Sequence, residues 1–94
     1  MKFYMYKSLR GEISLYGAKG YTFFHVEKKN SYNILLDEPR IRYDFVEYGW
    51  KEISANQAAE ILRDLVAPYK ARYGLTPWEA IKLEEIQRLI EETR

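Results

Sequence analysis

The chain contains no cysteine, which excludes disulfides, thiolate metal sites and a cysteine nucleophile. Its one histidine, His25, is too few for the zinc motifs built on two spaced histidines. Proline is scarce, at three residues, and the longest apolar runs span three or four residues, far short of the roughly 20 that cross a bilayer. Charge of one sign is also lacking. Fifteen basic against fourteen acidic side chains leave +1, which supplies no long-range attraction to nucleic acid or to an anionic membrane. Residues 1–7 lack the apolar core of a secretory signal, so the expected location is cytoplasmic, with no membrane partner. Neither a phosphate-binding glycine loop nor the dinucleotide fingerprint occurs.

What is present is aromatic and apolar. The 94 residues are 47% hydrophobic, enough to build one core, and a single domain is expected over 1–94. Within it the hydrophobic period changes at Ile53–Ser54, separating a sheet (1–53) from helices (54–94).

Before that boundary, short apolar runs alternate with turn signals, as in consecutive antiparallel strands. Five strands are predicted, over 2–9, 12–16, 21–28, 32–37 and 40–48. Arg10-Gly11, Gly17-Ala18-Lys19-Gly20, Lys29-Asn30-Ser31 and Glu38-Pro39 read as the turns between them, and Gly49 ends the last strand. Such short connections favour a meander, because a parallel crossover needs a dozen or more residues.

After the boundary the period is helical. Ser54 and Gln57 fit a capping box, and Ala58, Ile61, Leu62, Leu65, Val66 and Tyr69 follow at spacings of three and four. Pro68 is expected to kink this helix, and Gly74 to cap it in the left-handed conformation. Thr76-Pro77-Trp78-Glu79 combines cap hydroxyl, first-turn proline and third-position glutamate, so a second helix begins there. Leu83, Ile86, Leu89 and Ile90 form its stripe, and Trp78 is expected to anchor its first turn on the sheet. Glu91 and Glu92 oppose the helix dipole, so the last turn is expected to fray. The predicted fold class is α+β: an antiparallel meander of about five strands, followed by two C-terminal helices packed on one face.

Twelve of the fifteen aromatic residues precede Ser54, more than one face of a small sheet can bury. Alternation sets Phe3 and Met5 against Tyr4 and Tyr6, Leu15 against Tyr16, and Phe24 and Val26 against Tyr21, Phe23 and His25. One aliphatic face would then lie under the helices and one tyrosine-rich face would be left over. Tyr4, Tyr6, Tyr16, Tyr21, Phe23, Arg40 and Arg42 are the candidate interface residues, since tyrosine and arginine supply contact area and hydrogen bonding at interfaces. The competing reading is structural: cross-strand aromatic pairs stabilise a half-exposed sheet by about 0.2–1 kcal/mol each.

The favoured function is therefore non-enzymatic binding of a protein partner, a second copy included, with no cofactor and no metal. A first alternative is single-stranded nucleic acid, with bases stacked on the rings. Nine basic and seven acidic residues over 1–53 leave only +2, a weak footprint for that role. A second alternative is a small enzyme using His25 with Asp37, Glu38 or Asp44 as acid–base partners.

Overall fold

The alternation in the first half becomes an antiparallel sheet in the computed structural model, which describes residues 1–19, 22–30, 33–37 and 49–94. Its strands are β1 (Lys2–Lys7), β2 (Ile13–Lys19), β3 (Thr22–Asn30), β4 (Asn33–Asp37) and β5 (Lys51–Ile53). Among the described residues their order is β4-β3-β2-β1-β5, with β3, β2 and β1 each between two neighbours. The fold is thus α+β, with an antiparallel sheet and two C-terminal helices.

Strands β1 to β4 lie side by side in chain order, as a meander does, and an unpredicted strand, β5, is added beside β1. The strand predicted over 40–48 lies outside the described residues. Lys51–Ile53, which no predicted strand includes, pairs with Phe3–Met5 of β1 at the side away from β4. A three-residue strand carries no periodicity of its own and exists because β1 offers it an open ladder.

A second correction concerns Gly17, which is not in a turn. It continues β2, opposite Phe3 on one side and Phe24 on the other. A Cβ built on Gly17 would lie 2.1 Å from Cε2 of Phe24. The missing side chain is therefore what lets the Phe24 ring lie across the strand. The first turn is also longer than the two residues expected: Ser8 N–H donates to Glu12 O at 2.8 Å, and Gly11 N–H to Ser8 O at 2.9 Å.

Helix α1 (Ala55–Tyr73) begins where the capping box placed it, with Gln57 N–H donating to Ser54 Oγ and Ser54 N–H to Gln57 Oε1. It runs through Pro68, which is exposed, so water can reach the carbonyl that proline leaves without a donor. Gly74 closes it with φ 71° and ψ 173°. The φ is positive as expected, but the ψ lies far from the left-handed helical value, and one N–H bond to Lys70 O forms the cap.

Helix α2 (Pro77–Thr93) has the second capping box, between Thr76 and Glu79. Its final turn is held where fraying was expected. Arg94 N–H donates to Ile90 O, and its guanidinium bonds Glu91 on the same helix and Asn56 on the first turn of α1.

Both helices cover one face of the sheet. Phe3, Leu15, Phe24, Val26 and Ile53 are buried in one cluster with Ala58, Leu62, Leu65, Val66, Leu83, Ile86 and Ile90. A large apolar side chain buried in this way contributes about 1.5–3 kcal/mol. Among the described residues, no helix is long and apolar enough to cross a membrane.

Candidate functional site

Strand register decides which aromatic residues can meet on the face away from the helices. Tyr4 is opposite Tyr16, and Tyr16 is opposite His25, so β1, β2 and β3 bring these three residues into one row. Tyr6 lies two residues along β1 on the same face. The chain then adds a residue that sequence reasoning had not selected. Trp50, between the Gly49 turn and β5, places its ring 5.6 Å from Tyr6, 6.0 Å from Tyr16 and 6.2 Å from His25. Tyr16 and His25 are themselves 6.2 Å apart. These centroid distances and tilted geometries are those of favourable aromatic pairs, worth about 0.5–1.5 kcal/mol each beyond burial.

This cluster divides the expected interface residues. Tyr16 is 2% exposed, so its ring belongs to the chain's own packing and presents no surface to a partner. That corrects its place among the contact candidates. Burial pushes its hydroxyl above the ordinary tyrosine value, and the neighbouring Tyr4 adds to the effect. Tyr4, Tyr6 and Trp50 are half-buried and form the accessible part of the cluster. Phe23 sits opposite Ala18 on the same face by register. Tyr21, Arg40 and Arg42 lie outside the described residues.

Among the described residues, charge on this face is mixed. Glu52 on β5 is opposite Tyr4, and Lys2 shares the face at the start of β1. His25 Nε2 lies 3.6 Å from Glu27 Oε2. Asp37, one of the acids considered as its catalytic partner, is opposite His25 in the β3–β4 register. Glu38 and Asp44 lie outside the described residues. His25 packs on Tyr16 and Trp50, and it lines neither of the two surface grooves described next.

The helical side offers a groove of about 490 Å³ between α1 and α2, floored by Leu62, Val66, Leu83 and Ile90 with Arg63 and Lys70 on its rim. The floor residues are 2–8% exposed, so an occupant would remove little further apolar surface from water. A smaller groove of about 280 Å³ runs between the Arg10–Glu12 turn and α1.

At the α1–α2 corner, desolvation and the neighbouring Glu79 carboxylate raise the Tyr69 hydroxyl above its ordinary pKa, and Arg72 lies 5.6 Å from the centroid of the Tyr73 ring. Trp78 is 61% exposed, with Lys82 Nζ 5.1 Å from its ring centroid, which corrects its expected role as an anchor on the sheet. The helix stripe used for the core runs through Leu83, Ile86 and Ile90, and Trp78 and Ile81 project beside it into solvent.

Comparison with protein-family models, with curated proteins and with solved structures finds no match.

Proposed function

We propose that this chain is a non-enzymatic binding domain that contacts another protein molecule, a second copy in the first instance, through the aromatic face opposite its helices. The observation that carries the reading is Trp50, whose ring touches residues of three neighbouring strands and extends a fixed aromatic platform with Tyr4 and Tyr6 at its accessible surface. Rigid aromatic side chains make strong contacts because they bury much area for few frozen rotamers. Phe23 belongs with this surface by register, and Tyr21, Arg40 and Arg42 are its candidates from sequence position.

A protein is favoured over single-stranded nucleic acid because Glu52 shares the face directly opposite Tyr4, and Glu27 lies beside His25. Carboxylates beside a stacking platform repel the phosphates that must follow the bases.

The test is solution mass over a concentration series, for the wild type and for Tyr4→Ala and Tyr6→Ala. The expected result is association at high concentration that either substitution weakens by roughly 30-fold or more in Kd, the scale of a 2 kcal/mol hot spot. Circular dichroism should show an unchanged fold. Association indifferent to both substitutions would sink the reading, as would salt-sensitive binding of mixed-sequence oligonucleotides.

A further inference from the structure

The turn between β1 and β2 carries an apolar knob and, beside it, a groove of matching chemistry. Leu9 stands at the tip of that turn with its side chain in water, at 108% relative exposure. A scattered exposed leucine is ordinary on a protein surface. This one is held in place. Ser8 N–H donates to Glu12 O at 2.8 Å, Gly11 N–H to Ser8 O at 2.9 Å and Glu12 N–H to Ser8 Oγ at 3.1 Å, so hydrogen bonds pin the tip. Gly11 takes the positive φ of 82° that closes it.

Between the same turn and α1 lies the groove of about 280 Å³. Leu65 is its buried floor, Ile13 and Ile61 are half-buried in its walls, and Arg10, Glu12 and Asp64 bring charge to its rim. Every residue that lines it is among those described. Leu9 is not one of them, because its side chain points away into solvent. We propose that two copies of this chain associate by exchanging Leu9 side chains, each leucine entering the groove of the other copy about a two-fold axis beside Gly11.

A two-fold contact is isologous, so a single patch must carry both complementary parts. This turn does so: the knob at Leu9 is followed at once by Arg10 and, three residues later, by the groove wall at Ile13. Charge is complementary in the same sense. An Arg10 guanidinium carried in beside its leucine meets the Asp64 and Glu12 carboxylates of the second copy, and the axis repeats that pairing. The Asp64 side chain is 77% exposed, with Arg63 Nε 3.8 Å from its Oδ1, so a second cation can reach it from the open side. Gly11 carries no side chain, and nothing lies within 4 Å of where its Cβ would stand. The two turns can therefore pass close together at that point.

Two leucines and their charged rims cover less than the roughly 1,200–2,000 Å² of a stable interface, so the dimer is weak and forms at high concentration. Pinning the tip in advance limits what the contact must order. The contact does not rest on the aromatic face. One wall of the groove belongs to α1, which packs on the opposite face of the sheet.

Sedimentation equilibrium up to about 1 mM tests it in the Tyr6→Ala background, which weakens contact through the aromatic face. The expected result is a dimer that Leu9→Ser weakens by roughly tenfold or more in Kd, with circular dichroism unchanged because position 9 is fully exposed. Arg10→Asp alone and Asp64→Arg alone each set like charges against one another twice, and each is expected to be monomeric. In an equimolar mixture of these two variants both contacts join opposite charges again, so the dimer is expected to return. A defect within one chain could not be repaired by mixing. The proposal is overturned by a Tyr6→Ala protein that is monomeric throughout, by association indifferent to Leu9→Ser, or by a mixture of the charge variants that stays monomeric. A wild type that associates while Tyr6→Ala does not would keep the aromatic-face reading and reject this one.

Discussion

The Phe24 ring fills the space where Gly17 would carry a side chain, with three ring carbons between 2.1 and 2.9 Å from the position of its Cβ. Phe24 is 4% exposed and tilted against Phe3 at 6.1 Å, so the ring cannot move aside without opening the core. Gly17→Ala is therefore expected to destabilise the fold by about 1–3 kcal/mol, the usual cost of overpacking. Denaturant unfolding measures it. If the clash is the cause, Phe24→Leu in the Gly17→Ala background should recover part of the loss, and a double-mutant cycle should show coupling between the two sites.

Glu79 gives the stability an acid limb. The Thr76 backbone N–H holds its carboxylate below the ordinary value, burial opposes that effect, and the Thr76 and Tyr69 hydroxyls support it. A carboxylate depressed in the folded state stabilises above its unfolded pKa and loses that contribution as pH falls through the folded value. Glu79→Gln should thus cost about 0.3–1 kcal/mol at neutral pH, the size of a charge at a helix N-terminus. Thermal unfolding of both proteins across the carboxylate range should show the gap closing as pH falls. A gap independent of pH would mean that the glutamate acts by packing alone.

The two tryptophans should behave oppositely. Trp50 contacts Tyr6, Tyr16 and His25, whereas Trp78 is mostly exposed beside Lys82. Trp50→Ala removes three ring contacts and uncovers Tyr16, for an expected loss of about 1.5–4.5 kcal/mol at about 0.5–1.5 kcal/mol per pair. Trp78→Ala should fall within about 0.5 kcal/mol of wild type, as surface substitutions usually do. Chemical unfolding of the two single variants decides it, and equal losses would contradict the placement of both rings.

Legibility in the sequence followed the range of the interaction. The Ser54–Gln57 and Thr76–Glu79 boxes are closed within four residues, so both helix starts could be read directly and both are formed. Alternation placed Phe3, Leu15, Phe24 and Val26 on the helix side and Tyr4, Tyr6 and Tyr16 on the other, because the side-chain period of a strand is local geometry.

Other features were not local. Trp50 stands outside any predicted strand, and nothing near it in sequence marks it as the ring that bridges β1, β2 and β3. The burial of Tyr16 could not be read either, since it depends on neighbours from strands on both sides and on Trp50. Gly17 looked like a turn because a glycine signals either a turn or a close approach, and only Phe24, seven residues away, distinguishes them.

The sequence by itself determined the boundary at Ser54, the two helix starts, the inward stripe of each helix and the sorting of strand residues between two faces. Each of these rests on backbone periodicity or on bonds spanning a single turn. Only the tertiary structure decided that β5 closes the sheet beside β1, that Trp78 faces water, and that Tyr16 lies beneath the aromatic surface. Those outcomes turn on which distant segments compete for the same strand edge or the same patch of apolar surface, and chain order does not encode that competition.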